Sequence, residues 1–480
     1  MQAIPSEFLA IDRKQRARLP SYHIPTRPPE ERVCDFNDIV LPLDEETARF
    51  EASRCIHCPD PAPCVQACPA HNDIPSAMWL IEEGKFLEAA QLYRQTSSLP
   101  EICGRVCPHE KLCQNSCVQN HYDEPVLTGL LEAFVTDYER RYRKIHPREP
   151  RIPHRQPVAV VGAGPAGLAC AEQLSRLGYR VTIFDAKPRP GGLLLYGIPN
   201  FKLPKDVVLE RIDDILAAGV KFVGNTFIGR DKTIDDLFAE GFEAVFIGVG
   251  TGIDAPMKVP GADLPGVYQG TEFLIRTNVA EEFLPQGMEK ITGIGRRVVV
   301  IGGGDTASDC LRTAVRMGAQ HVTCLYRRTE KEMPGGKKDR ELARQEGATF
   351  QFLTQPVRFL PGEDGRLKAV ECVRMELGEP DESGRRRPIP IEGSNFILEA
   401  DTAVLAIGYW PDPTIGETTP DLETRKWGLI VTDPETGATS RAGVFAGGDA
   451  VTGPDLVVTA MVAGRKAAQA IDAYLQAKTR

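Results

Sequence analysis

The sequence predicts an α/β protein in which a helical, cysteine-rich N-terminal domain precedes two nested Rossmann-like domains. Three observations predict this fold class. Eight cysteines crowd between residues 55 and 117, two apolar segments each run into a glycine-rich turn, and after residue 157 apolar strands alternate with helical segments. Such alternation is typical of parallel sheets covered by helices. Because two glycine-rich turns are present, we expect two such sheets.

The composition is that of a soluble globular protein. Of the 480 residues, 42% are hydrophobic and 26% are charged, and 57 Lys and Arg against 66 Asp and Glu leave a net charge of −9. At about 150 residues per domain, this length allows about three domains. The acidic balance argues against a nucleic-acid partner. No apolar run approaches the roughly 20 residues of a membrane span, and the N-terminus lacks a signal-peptide pattern, so we expect a cytoplasmic protein without a membrane partner.

Residues 1–150 are expected to form the helical domain. Asp44 precedes an acidic first turn, which predicts a helix leading to Cys55. Further helical spacing covers 74–93, with an interruption near Gly84, and 127–142.

Proline marks the two ends of this domain. Residues 1–43 are rich in proline and predict an extended arm, which is a candidate surface for a partner. Residues 148–157 are rich in proline and arginine and predict a linker.

The clustered cysteines form two runs of similar spacing. The first run is Cys55, Cys58, Cys64 and Cys68, and the second is Cys103, Cys107, Cys113 and Cys117. In a reducing compartment such density indicates metal binding rather than disulfides. The spacing resembles the bacterial ferredoxin run, whose fourth cysteine ligates the other cluster. We therefore predict two [4Fe–4S] clusters that share ligands between the runs, with two structural zinc sites as the alternative.

The first glycine-rich turn predicts a dinucleotide site for FAD. It has the pattern G-x-G-x-x-G between an apolar strand and a helix, and the next strand ends at an aspartate. The glycines allow a tight turn and close approach of the backbone to a pyrophosphate, and the carboxylate can accept bonds from a ribose. A second aspartate, before the C-terminal helix, is placed to bind the flavin ribityl chain. The predicted contacts are Gly162, Gly164, Ala166, Gly167, Asp185, Gly192, Leu193, Gly448 and Asp449.

The second glycine-rich turn predicts a site for NADPH. Here the strand after the turn ends at two arginines instead of an acid. A guanidinium can bind the 2′-phosphate of NADP through two parallel hydrogen bonds. The alternative is that both arginines are solvated surface charges. The predicted contacts are Gly302, Gly304, Asp305, Thr306, Arg327 and Arg328.

These sites divide the chain into a nested order of domains. The FAD-binding domain is expected in two parts, with the NADPH-binding domain inserted between them. The predicted segments are 1–150 for the helical domain with two [4Fe–4S] clusters, 151–285 for the first FAD part, 286–411 for NADPH, and 412–480 for the second FAD part.

Longer motifs resemble a known family over nearly the whole chain. Cys103-Gly-Arg-Val-Cys-Pro, Gly302-Gly-Gly-Asp-Thr-Ala and Phe445-Ala-Gly-Gly-Asp are similar to the small (beta) subunit of bacterial NADPH-dependent glutamate synthase. The resemblance implies a first cysteine set, which would hold one cluster, and a second cysteine set, which would hold the other. The first set is Cys55, Cys58, Cys64 and Cys117, and the second is Cys68, Cys107 and Cys113 with Glu132 as fourth ligand. Cys103 is the alternative to Glu132.

The resemblance also implies a function as an electron-input subunit. NADPH would give a hydride to FAD, a step that requires orientation rather than a protein acid or base, so no catalytic side chain is predicted. Electrons would then pass through two clusters to the large (alpha) subunit, which makes glutamate from glutamine and 2-oxoglutarate.

Two alternatives remain open. The same module occurs in ferredoxin–NADP bifurcating transhydrogenases and in dihydropyrimidine dehydrogenase, so the partner could differ. An alternative of another class is a non-catalytic scaffold that binds zinc and NADP.

Overall fold

The N-terminal part of the chain is helical in the computed structural model, which describes residues 11–142, 155–381 and 384–479. Asp44 caps the helix leading to Cys55, since its carboxylate accepts a hydrogen bond from the Thr47 amide at 2.7 Å. The segment predicted as one interrupted helix is two helices that meet near Gly84. The helices of this part are α1 to α8 in chain order: Arg13–Arg16, Pro29–Arg32, Glu45–Ser53, Pro63–Ala67, Ile74–Glu82, Phe86–Thr96, Pro100–Val106 and Thr128–Tyr142. Short 3₁₀ helices lie at His109–Lys111 and Val118–His121.

The proline-rich arm covers its own chain over residues 11–43. Arg16 forms an ion pair with Glu82 at 2.8 Å. Arg32 is buried, and its guanidinium lies 2.8 Å from the carboxylate of Glu346, far along the chain. Residues 11–43 thus pack on the rest of the chain, and their role as a surface for a partner stays a prediction. The predicted linker lies outside the described residues except for its last three.

The rest of the chain contains three main sheets. The strands of the described residues are β1 to β16 in chain order: Pro157–Val161, Arg180–Phe184, Lys221–Val223, Ala244–Ile247, Ile253–Asp254, Val267–Gln269, Arg297–Ile301, His321–Tyr326, Thr349–Phe352, Thr354–Pro361, Leu367–Pro380, Arg386–Pro390, Phe396–Glu399, Thr402–Leu405, Tyr409–Trp410 and Val444–Ala446. The helices between and after them are α9 to α18: Pro165–Arg176, Leu193–Tyr196, Lys205–Ala217, Ile234–Ala239, Gly270–Asn278, Asp305–Arg316, Lys337–Gln345, Thr414–Glu417, Asp449–Thr452 and Val457–Thr479.

Two of the sheets are parallel and each carries one glycine-rich turn. The first sheet has the order β16-β4-β1-β2-β3, and the second has the order β6-β14-β7-β8-β9. The apolar strands β1 and β7 are almost wholly buried, as the central strands of covered parallel sheets are. Strand β16, near the C-terminus, completes the first sheet, so the second sheet is inserted within the chain of the first.

One predicted boundary disagrees with this topology. Strand β6, at Val267–Gln269, pairs with β14 of the second sheet although it precedes residue 286. A two-stranded ribbon of β5 and β15 lies on the chain just outside the second sheet. We propose that the inserted domain runs between these two short strands rather than from 286 to 411.

The third sheet is antiparallel and was not predicted. Strand β11 pairs with β10, β12 and β13, and the buried Phe359, Val370 and Cys372 pack beneath the second sheet. Its strands are edged by exposed, charged residues, which weakens the alternating pattern that identifies a strand.

The helical domain and the first sheet share one hydrophobic core. Buried residues of α5 to α8 and of α9, β1 and α18 belong to the same cluster. Arg465 of α18 donates to the Ser98 hydroxyl at 3.1 Å, and Arg211 donates to the Ser98 carbonyl at 2.8 Å. The two units are therefore held in a defined orientation. Among the described residues, no helix combines the length and the apolar character needed to cross a lipid bilayer.

Candidate functional site

The first glycine-rich turn leaves an open cradle at the start of α9. Gly162 has a φ of +100°, and a Cβ there would lie 2.5 Å from the Gly248 carbonyl oxygen, so only glycine fits. A Cβ built on Gly164, in contrast, meets no atom within 4 Å. Gly164 therefore exposes backbone to open space at a helix N-terminus, which is the arrangement that receives a pyrophosphate.

Asp185 lies beside this cradle, but its own chain uses both carboxylate oxygens. They accept hydrogen bonds from the amides of Ala163 at 2.7 Å and Lys187 at 2.8 Å. Burial raises the pKa of Asp185, and these two amides oppose the rise. Asp185 thus holds the first glycine-rich turn against the end of β2, and it also lines the large cleft between the two turns.

Asp449 lies across the cradle at the first turn of α17. Burial raises its pKa to about 7, while a hydrogen bond from the Asp455 backbone opposes the rise and the Asp455 carboxylate adds to it. Asp449 is half-buried and forms no ion pair within the described residues, so its carboxylate is placed for a ligand that donates hydrogen bonds, as the hydroxyl groups of a ribityl chain do.

The second glycine-rich turn repeats this geometry at the start of α14. Gly302 has a φ of +144°, and a Cβ there would overlap the Ala406 carbonyl. Gly304 again meets no atom within 4 Å. The side chains that follow are engaged by the protein: Asp305 accepts from the Gly336 amide at 2.8 Å, and Thr306 shares a 2.8 Å hydrogen bond with the Tyr409 hydroxyl.

The two arginines after β8 differ in their surroundings. Arg328 is buried and donates to the carboxylate of Asp381 at 2.6 Å and to the Arg386 carbonyl at 2.7 Å. Arg327 is exposed and has no hydrogen-bond partner within the described ranges. Because a committed guanidinium is not free to bind a phosphate, Arg327 is the better candidate of the two for the 2′-phosphate.

Both turns open into one cleft of about 2080 Å³. The predicted residues Gly167 and Gly448 shape the turns from outside it. The others line it: Gly162, Gly164, Ala166, Asp185, Gly192, Leu193, Asp449, Gly302, Gly304, Asp305, Thr306, Arg327 and Arg328. The cleft also reaches the helical domain at Cys107 and His109. Two dinucleotides could therefore bind within one continuous space that ends at the second cysteine set.

The first cysteine set comes together near the arm. Burial raises the pKa of the Cys55 thiol to about 12, and the thiols of Cys117 and Cys58 raise it further. Burial likewise raises the pKa of Cys64, with contributions from Cys55, Cys117 and Cys58. Arg16 donates to the Cys55 carbonyl at 3.1 Å and so holds the loop of this set. The four thiols of the predicted set are thus close neighbours.

The second cysteine set surrounds a small cavity together with Glu132. The cavity is lined by Cys68, Cys103, Cys107, Cys113 and Glu132. Glu132 is buried, and burial raises its pKa well above the ordinary value. The Asn72 amide donates to it at a long 3.4 Å. A buried carboxylate facing three thiols fits an iron–sulfur cluster, whose iron would supply the missing positive charge.

Cys103, the alternative ligand, is also buried in this cavity. A hydrogen bond with Cys103, followed by burial, raises the pKa of Cys107. Across the described part of the chain, no group of three or more His, Cys, Asp or Glu side chains is arranged to hold a single metal ion.

Two polar residues of the cavity were not predicted from the sequence. Tyr93 and His109 line it, and both are buried. His109 follows Cys107-Pro108 directly, which is a signal that could have been noticed. Tyr93 stands among the apolar residues of an amphipathic helix, where a tyrosine is normally a core residue.

Comparisons with known proteins agree with this site. Residues 32–144 match the family model of dihydropyrimidine dehydrogenase domain II, 4Fe-4S cluster, and residues 156–464 match the model of pyridine nucleotide-disulphide oxidoreductase.

Curated relatives match over most of the chain. The putative oxidoreductase UacF of Escherichia coli (strain K12) is 46% identical over 92% of this chain and 69% of its own length. The glutamate synthase [NADPH] small chain of the same organism is 42% identical over 94% of this chain and 96% of its own length. Among solved structures, Mycobacterium tuberculosis FprA in complex with NADPH covers 68% of this chain and 86% of that one, with a TM-score of 0.55 and 20% identity. This last similarity shows the fold alone.

The fold and the site define an oxidoreductase that uses NADPH, a flavin and iron–sulfur chemistry. Its N-terminal domain is of the 4Fe-4S type and its nucleotide-binding part has the pyridine nucleotide-disulphide oxidoreductase fold. The chain belongs to the family of the glutamate synthase [NADPH] small chain.

Proposed function

We propose that this chain is the electron-input subunit of a cytoplasmic glutamate synthase: it oxidises NADPH and delivers electrons to a large subunit that makes glutamate from glutamine and 2-oxoglutarate. The observation that carries the proposal is the single cleft, which connects both glycine-rich turns with Cys107 of the second cysteine set. The relation to the glutamate synthase small chain supports the choice of partner.

The residues of the cleft would bind and orient two nucleotides. The cradle at Gly164 and the carboxylate of Asp449 would hold FAD, and the cradle at Gly304 with the guanidinium of Arg327 would hold NADPH. When bound, the flavin supplies the conversion of a two-electron donor into a one-electron donor. The chain itself provides orientation, since no acid or base is needed for hydride transfer between cofactors.

We propose two [4Fe–4S] clusters, one in each cysteine set. The second set is nearer to the nucleotides, because Cys107 lines both the cleft and the small cavity. The first set lies beyond it and is linked to it by the proximity of Cys64 to Cys113. The two sets thus form a path from the cleft toward the surface of the helical domain. Glu132 is our candidate for the fourth ligand of the second set, since it is buried and faces the three thiols.

The experiment that tests this function is anaerobic purification of the full chain from its native host. We expect a brown-yellow protein that contains FAD, iron and acid-labile sulfide and that reduces artificial acceptors with NADPH. It should form glutamate from glutamine and 2-oxoglutarate only when a glutamate synthase large subunit is added. Glutamate formation by the isolated chain would contradict the proposal.

Co-purifying proteins test the choice of partner. A glutamate synthase large subunit is expected. Recovery of a transhydrogenase or pyrimidine reductase component instead would retain the electron-input role and replace the partner. A colourless protein containing zinc and no flavin would leave only the scaffold alternative.

A further inference from the structure

The cavity of the second cysteine set contains two polar atoms that lack a partner. The Tyr93 hydroxyl oxygen and Nε2 of His109 are buried and make no hydrogen bond within the described residues. Buried polar atoms are nearly always paired, because an unpaired one loses its bonds to water without replacement. Of the two, only the Tyr93 hydroxyl has a hydrogen to donate, because a neutral imidazole carries one N–H and the His109 ring bonds the Cys103 backbone through its other nitrogen. The Tyr93 hydroxyl therefore points to an acceptor inside the cavity.

Tyr93 lies between the two cysteine sets. Its side chain is 2% exposed and projects from α6 into the core of the helical domain. The acidic groups near its hydroxyl are Glu132, Cys113 and Cys68 of the second set and Cys64 of the first. The hydroxyl is therefore surrounded by the groups that would hold the clusters.

We propose that the Tyr93 hydroxyl donates a hydrogen bond to a sulfur atom of the cluster in the second cysteine set and thereby raises the reduction potential of that cluster. The inference rests on the proposed function in one respect, since it requires that this set hold a cluster. On reduction the cluster gains one electron, derived from NADPH, and no bond forms or breaks. Because the added negative charge makes sulfur a better acceptor, the Tyr93 hydroxyl stabilises the reduced form more than the oxidised form.

This assignment explains why a polar side chain is kept in an apolar core. A cluster next to the nucleotide cleft must accept electrons readily, and a donor to one of its sulfur atoms favours reduction.

The test is redox titration of the anaerobically purified full chain, followed by electron paramagnetic resonance. Tyr93→Phe removes only the hydroxyl. We expect the equilibrium constant for one-electron reduction of the second cluster to fall about tenfold, which is a drop of about 59 mV.

Tyr138→Phe is the matched control. Tyr138 is on α8 of the same domain, but its ring packs with Phe86, Phe134 and Tyr142, away from the cavity. Its loss of a hydroxyl should leave both potentials unchanged. Wild-type protein exchanged into D₂O should in addition show a deuteron coupled to the reduced second cluster, and Tyr93→Phe should weaken that signal.

The outcomes separate this inference from the proposed function. A chain with about eight iron atoms, reducible by NADPH, in which Tyr93→Phe matches the control would overturn the inference alone. If the Tyr93→Phe protein loses its iron, the test rests on the wild type in D₂O. Absence of the coupled deuteron signal there overturns the inference. A wild-type chain without iron overturns both.

Discussion

Arg327 and Arg328, which follow β8, have the same side chain but different surroundings, and the surroundings determine which of them can bind a phosphate. Arg328 is buried against Asp381, whereas Arg327 is exposed at the cleft. We expect Arg327→Ser to raise KM for NADPH about tenfold or more, since a hydrogen bond to a charged group contributes about 1.5–3 kcal/mol. KM for NADH should hardly change, because NADH lacks the 2′-phosphate.

Steady-state kinetics with both coenzymes provide the measurement. Arg328→Ser is the comparison variant, and it should lower thermal stability through loss of the Asp381 ion pair. Equal losses for NADPH and NADH in Arg327→Ser would contradict the assignment of Arg327.

Glu132 and Cys103 are alternative candidates for the fourth ligand of the second cluster, and iron analysis can distinguish them. Glu132→Ala should reduce the iron content from about eight to about four atoms per chain or shift the signal of the second cluster, because its fourth ligand is removed. Cys103→Ser should keep both clusters. Intact clusters with unchanged potentials in Glu132→Ala would exclude Glu132 as a ligand.

Asp449 predicts a pH dependence of the flavin-free protein. Its pKa is about 7 in the folded chain and about 3.8 when unfolded, so the folded state binds more protons between these values. The contribution of Asp449 to the free energy of unfolding must then fall as pH rises from about 4 to about 7. At about 1.4 kcal/mol per pKa unit, the loss is at most about 4 kcal/mol.

Urea unfolding of apoprotein at several pH values measures this effect. Asp449→Asn should flatten the profile and stabilise the apoprotein above pH 7, while it weakens FAD binding. An unchanged profile in Asp449→Asn would show that another group is responsible.

At the scale of elements, two strand–turn–helix units present the same cradle to one cleft. Gly164 and Gly304 have extended backbone and open space, so a side chain at either position fits the apoprotein and occupies the place of a pyrophosphate. We expect Gly164→Val to lose FAD during purification. Gly304→Val should retain FAD and raise KM for NADPH at least tenfold.

Each variant is the other's control, with far-UV circular dichroism to verify the fold. FAD loss in Gly304→Val would show that the two turns do not bind separate nucleotides. Retention of FAD by Gly164→Val would place the flavin elsewhere.

At the scale of the whole molecule, a buried ionic cluster joins the arm to the inserted domain. Glu346 forms ion pairs with Arg32, Arg312 and Arg316, with nitrogen–oxygen distances of 2.8, 2.9 and 2.6 Å. Burial alone would raise the pKa of Glu346, but hydrogen bonds from Arg316 and Arg312 outweigh it and lower the pKa. Arg312 and Arg316 also stack on the ring of Phe201, which belongs to the FAD part.

Removing the shared carboxylate should lower the free energy of unfolding more than removing one of the arginines. Glu346→Gln leaves Arg32 and Arg316 without this counter-charge and Arg312 with only its longer ion pair to Asp339 at 3.7 Å, and it should cost about 3–5 kcal/mol. Arg32→Met should cost less, because two arginines still pair with Glu346. Thermal unfolding and proteolysis of the arm measure both effects. A larger loss in Arg32→Met would contradict the central role of Glu346.

Much of this protein could be predicted from local patterns. The glycine-rich turns, the helix before Cys55 and the parallel sheets follow from short-range spacing. Two features could not be predicted in this way. The pairing of β6 with β14 joins segments more than 100 residues apart. The antiparallel sheet has strands whose apolar and polar residues alternate only weakly.

The sequence by itself determined which chemical groups are available: thiols at ferredoxin-like spacing, two cradles for dinucleotides, and arginines after the second. Only the tertiary structure decided how they are used. It buried Arg328 and exposed Arg327, engaged both oxygens of Asp185, folded the arm over its own chain, and brought Tyr93 and His109 to the second cysteine set. The reason is physical: side-chain types are local, whereas burial and hydrogen-bond partners depend on which distant segments share a core.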